Sequence, residues 1–132
     1  MIPIVPLYAA LLAIFFVFLS VRTLRLRRKL GIAVGDGGKE SLLRAARVHA
    51  NFAEYVPLGL LLIYFVESRG YPQALVHALC IALVAGRLSH AFGVSRTPEK
   101  FRYRIFGMAM TFFALVVAAL VLLSGYVRQI VA

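Results

Sequence analysis

Cysteine and acidic side chains are scarce in this chain. Cys80 is the single thiol among 132 residues, so no internal disulfide can form and cysteine usage does not reveal a redox compartment. Placed in the middle of an apolar stretch, it reads as a small buried hydrophobe. Only 5 residues are acidic against 15 basic ones. His49, His77 and His90 are dispersed, with no acid or cysteine in register, which argues against a metal site with the usual ligand spacing. Gly35-Asp-Gly-Gly38 is too short for a Walker or dinucleotide loop, and no Ser-His-Asp set stands out. Neither an internal repeat nor a low-complexity segment is present.

Apolar residues are abundant instead. They make up 62% of the chain, and the mean hydropathy is +0.89, whereas soluble domains lie nearer ~45–50%. Four apolar stretches run from about Ile2 to Val21, Val48 to Val66, Tyr71 to Phe92 and Ile105 to Val127. Each is long enough to cross a hydrocarbon core, which takes roughly 20 residues as a helix. The expected fold class is all-α, an integral membrane bundle of four transmembrane helices in one domain over residues 1–132. The first stretch reads as a membrane helix and not as a signal peptide. No basic segment precedes it, it is long for a signal sequence, and Arg22 to Lys29 follow where small residues would mark a cleavage site.

The placement of charge predicts orientation. Arg22, Arg25, Arg27, Arg28, Lys29, Lys39, Arg44 and Arg47 lie in or beside the first connection, and Arg87, Arg96, Lys100, Arg102 and Arg104 flank the third. The second, Glu67-Ser-Arg-Gly-Tyr71, holds one base and one acid. The positive-inside rule therefore predicts cytoplasmic first and third connections, with both termini on the other side. Bases at helix ends are accounted for by topology and anionic headgroups, so nucleic acid is not an expected partner; the lipid bilayer is. Helix one is expected to run to about Lys29 and helix two to start near Lys39 or Glu40. Pro57 is expected to kink helix two, helix three to end around Gly93, and helix four to start near Lys100 and fade at Gly125.

The costliest residues for such a chain sit at the mouth of helix two. Arg44, Arg47, Asn51, Glu54 and Tyr55 fall within an arc of roughly 100° at 3.6 residues per turn. A charge next to lipid-grade sequence needs a partner or a purpose. Arg44, Arg47 and arginines on other helices are candidate partners for a buried Glu54, which would make the stripe glue between helices. The surplus of bases at this membrane face favours a polar pocket for an anionic ligand. Arg87 and His90, three residues apart on one face, point to the same pocket. Arg102 and Arg104 open helix four on different sides, and an inward arginine beside a bound thiol would favour its thiolate.

Arg47-x-x-x-Asn51-x-x-Glu54-Tyr55-x-Pro57, with Gly86-Arg87-x-x-His90 and an arginine opening helix four, resembles the MAPEG family, the membrane-associated proteins of eicosanoid and glutathione metabolism. The likeness covers nearly the whole chain. The Val34-Gly-Asp-Gly-Gly38 loop is similar to that of small bacterial inner-membrane members. The resemblance implies a homotrimer with reduced glutathione held in clefts between subunits, open to the cytoplasmic side. It implies that Arg47, Asn51, Glu54 and Tyr55 hold the tripeptide and that Arg25 reaches one of its carboxylates. It further implies that His49 adds a contact from the adjoining subunit and that Arg87 and His90 line the cleft. Arg104 is the implied thiol-activating arginine, with Arg102 its rival. One departure stands out: family enzymes often carry a tyrosine one turn after the position of His90, and here that residue is Val94. The expected function is a membrane-bound glutathione transferase, with or without peroxidase activity, acting on a lipophilic small molecule. The alternative is a non-catalytic lipid-binding or regulatory protein on the same scaffold.

Overall fold

The computed structural model describes residues 2–131. They form an all-α bundle of four helices: α1 (Val5–Leu30), α2 (Glu40–Ser68), α3 (Gln73–Val94) and α4 (Phe101–Val131). All four are long and apolar enough to cross a membrane. The bundle is apolar outside as well as inside. Leu12, Leu19, Val48, Ile63, Leu79, Leu83 and Ala114 are buried between helices, while Phe112, Phe113, Leu120 and Leu123 face outward. A surface of this kind suits hydrocarbon, where helices satisfy every backbone group internally.

Each helix end has a local cause. Pro6 stands in the first turn of α1, and Gly31 ends the helix in the left-handed region at φ 66°, returning its N–H to Arg28 and Arg27 carbonyls. At the other end of α1, the Glu67 carboxylate reaches over from α2 and accepts the free N–H groups of Ile4 and of Val5, the latter at 3.1 Å. A carboxylate on a helix N-terminus satisfies orphan donors and suits the dipole. Glu67→Ala is therefore expected to cost about 1–2 kcal/mol of stability, read as a lower thermal midpoint in detergent. Glu67→Gln should keep part of that loss at bay.

One sequence expectation changes. α4 does not fade at Gly125 but continues to Val131. The glycine serves packing: a Cβ there would lie 2.5 Å from the Tyr71 hydroxyl, which donates to the Val121 carbonyl at 3.1 Å. α2 runs from Glu40 to Ser68 with Pro57 inside it.

The contact that positions the polar residues is between α3 and α4. A Cβ on Gly107 would lie 2.5 Å from the His90 backbone nitrogen and 2.6 Å from the Gly86 carbonyl oxygen. Backbones approach this closely only where side chains are absent, as in small-residue contacts between membrane helices. The approach brings Arg87 and His90 directly against the first turns of α4.

Candidate functional site

A cavity of about 300 Å³ opens between α2, α3 and α4 at the end of the bundle that carries the first and third connections. α2 lines it with Glu40, Arg44, Arg47 and Asn51, α3 with His90 and Val94, the third connection with Glu99, and α4 with Arg104. Three guanidinium groups thus face two carboxylates around one space.

Glu99 ties the rim together. Its carboxylate accepts from Arg104 at 2.9 Å and from Arg44 at 3.4 Å, and its side chain is only 13% exposed. Burial works against its charge, but the hydrogen bond and charge of Arg104, followed by those of Arg44, hold the carboxyl below its ordinary value of 4.5. Arg44 also grips Glu40 one turn before it at 2.8 Å and donates to the Val94 carbonyl at 3.2 Å. Arg47 is exposed and, among the described residues, has no acidic partner.

Beneath the cavity lies Arg87, a long side chain that is 2% exposed. Its guanidinium donates to Thr111 Oγ1 at 3.0 Å, to Asn51 Oδ1, to the Gly107 carbonyl at 3.4 Å and to Met108 Sδ at 3.4 Å. The Tyr55 ring faces the guanidinium at 5.6 Å and meets Phe112 edge-on at 5.6 Å. The described residues give this cation no carboxylate; dipoles and a ring face solvate it instead. One consequence is that the Asn51 amide is fixed by Arg87, with its remaining edge toward the cavity.

A single chain therefore gathers Arg47, Asn51, His90 and Arg104 on one cavity, with Arg87 and Tyr55 packed behind it. The other expected residues lie elsewhere. His49 Nε2 pairs with Ser20 Oγ at 3.0 Å, and its ring stacks on Phe16 at 4.8 Å, inside the α1–α2 contact. Arg25 lies on α1 beside Arg22 and Lys29. Arg102 opens on a separate surface with Ser89, Phe92, Tyr103 and Phe106. Glu54, for which Arg44 and Arg47 were among the candidate partners, is exposed and makes no ion pair among the described residues; Arg44 takes Glu40 and Glu99 instead. The pairing differs because Glu54 lies nearly three turns deeper along α2 than Arg44, whereas the third connection folds Glu99 back over the helix mouth.

Sequence reasoning missed Glu99, Thr111 and Met108. The signal for Glu99 was its rarity: as one of 5 acids facing 15 bases, it was bound to be sought by several of them. Thr111 and Met108 carried no signal, because their role depends on the glycine contact that brings α4 against Arg87.

Known proteins resemble this chain over most of its length. The model described as "MAPEG family" matches residues 5–124. The chain is similar to "Inner membrane protein YecN" of Escherichia coli strain K12, being 40% identical over 114 residues that cover 86% of each protein. It has the same identity and coverage with the protein of that name from Escherichia coli O6:H1. No solved structure matches it.

Proposed function

This chain belongs to the MAPEG family, and from that premise we propose that it is a glutathione transferase of the bacterial inner membrane. It would conjugate glutathione thiolate to lipophilic electrophiles that arrive through the bilayer. The observation that carries this reading is the cavity in which Arg47 and Asn51 of α2 face Arg104 of α4. Glutathione carries two carboxylates, one ammonium and a thiol. Arg47 and Arg44 suit the carboxylates, Glu40 suits the ammonium, and Asn51, anchored by Arg87, offers an amide to the peptide backbone. Arg104 beside the sulfur would stabilise the thiolate. The thiolate then attacks the electrophilic carbon, a C–S bond forms, and the leaving group departs with its electron pair. The thiol proton passes to water.

Homotrimerisation belongs to the same proposal. Glu54 and Arg25 are exposed charges on helices of membrane-spanning length, a costly arrangement without a partner. An adjoining subunit would bring Arg25 and His49 to the cavity and give Glu54 a partner. The base-rich first and third connections support a cytoplasmic opening, where glutathione is available, with both termini on the opposite side.

Two measurements on the purified protein test this. Reduced glutathione should raise the thermal midpoint progressively, since a ligand bound only by the folded state stabilises it. Chlorinated nitrobenzene should be conjugated faster than in the absence of protein. Failure of both would sink the proposal.

Val94 favours a second reading. It is buried and lines the cavity where family enzymes often present a tyrosine, leaving that wall without a hydroxyl. A non-catalytic lipid-binding or regulatory protein on this scaffold would bind its partner without glutathione and show no turnover, which separates the two readings in the same pair of assays.

A further inference from the structure

On the far side of α3 from the cavity, a groove of about 350 Å³ runs between α1 and α3. At roughly 100° per residue, His90 and Val94 point to one face of α3, while Leu88, Phe92 and Ser95 point to the opposite face. α1 contributes a matching stripe, Phe15, Phe18 and Arg22, in steps of three and four. Each stripe is apolar along its length and ends in an arginine at the same membrane level, Arg22 on α1 and Arg96 just past α3. Phe18 is 58% and Leu88 48% exposed, so the apolar part of the groove is open.

The head of the groove is unusually basic. Arg22 is half-buried and donates to Ser95 Oγ at 2.7 Å, which uses one of its five N–H groups. The Arg96 guanidinium lies over the Phe92 ring at 4.6 Å. No acidic side chain lines this groove. Among the described residues all three ion pairs belong to Glu40 and Glu99 on the cavity side, and none involves Arg22 or Arg96. Two guanidiniums over an apolar trough, with no carboxylate between them, complement a phosphodiester carried on an acyl chain. From Phe15 to Arg22 the trough is about 10 Å long at 1.5 Å per residue, enough for the upper part of a lipid tail.

We propose that the α1–α3 groove is a binding site for an anionic phospholipid of the bilayer, its phosphodiester held between Arg22 and Arg96 and one acyl chain lying along Phe15, Phe18, Leu88 and Phe92. Charge selects the headgroup: a glycerol headgroup adds no cation, whereas a choline headgroup brings an ammonium next to two arginines. The site is independent of the glutathione reading, because no residue of the groove lines the cavity.

The test is competition for the full-length protein in detergent between equimolar phosphatidylglycerol and phosphatidylcholine, with bound lipid counted by native mass spectrometry. Wild type should retain phosphatidylglycerol preferentially. Each arginine near the headgroups contributes about fivefold, so Arg22→Gln with Arg96→Gln should lower the preference about 20-fold or more. Arg22→Lys with Arg96→Lys should keep much of it, and Arg128→Gln, at the opposite end of α4, should leave it unchanged. Circular dichroism confirms that each variant is folded, and the wild-type competition stands without any variant. Parity between the two lipids in wild type would overturn the proposal. So would a preference that survives the double glutamine change or falls equally in Arg128→Gln. Wild-type oligomers that retain no lipid would show a second copy of the chain covering the groove, which also overturns it.

Discussion

Arg87→Ala is expected to cost about 2–5 kcal/mol of stability, the range for truncating a large buried side chain, and to appear as a large fall in thermal midpoint in detergent. Three separate losses add up. Removing the side chain empties a volume beneath the cavity at a position that is 2% exposed, and the surrounding helices relax only in part. It strands Asn51 Oδ1, which then has no donor, and weakens the support of Thr111 and Gly107. It also removes the cation that holds the Tyr55 ring. Arg87→Met, which keeps most of the volume, separates these contributions: it should recover the packing part but leave Asn51 unanchored. If Arg87→Ala and Arg87→Met were both as stable as wild type, the guanidinium would be idle, and the account of Asn51 as a positioned group would fail.

Arg87 also shows what the sequence could and could not reveal. The four helices were legible because each needs an apolar run of membrane length, and such runs are visible without any knowledge of neighbours. The shared face of Arg47 and Asn51 was legible for the same reason, since helical spacing alone sets it. What depends on a partner helix was not. Gly125 reads locally as a helix end, yet its meaning comes from Tyr71, more than fifty residues earlier, whose hydroxyl occupies the space of a missing Cβ. Arg87 read as a cavity wall, but the contact of Gly86 with Gly107 sinks it behind Asn51 instead. The two acids near the site differ in how far the sequence could place them. Glu54 lies on the charged stripe but faces out of the single chain, whereas Glu99 lies in a connection with no periodicity and reaches Arg44 from 55 residues away.

Arg104→Ala is expected to lower glutathione conjugation at neutral pH by about a hundredfold, the scale of losing one positioned charge-stabilising group, and to raise the pH at which the bound thiol ionises. Arg102→Ala should leave both nearly unchanged, because Arg102 opens on a surface separate from the cavity. Glu99 makes the prediction sharper. Its carboxylate sits 2.9 Å from Arg104 and 3.4 Å from Arg44, the place a ligand carboxylate or thiolate would compete for. Glu99→Gln frees both arginines, so it should bind glutathione several-fold more tightly and ionise the thiol at lower pH, opposite in sign to Arg104→Ala. The same variant should lose part of the tie between the third connection and the mouths of α2 and α4. Since the folded carboxyl is held below 4.5, the stability it contributes is present above that value and is lost as pH falls through the depressed one. The ligand-free midpoint of wild type should therefore drop on acidification below about pH 4.5, and Glu99→Gln should start lower and drop less. If Arg104→Ala and Glu99→Gln moved the thiol ionisation in the same direction, a purely structural rim would explain both, and Arg104 would have no part in activating sulfur.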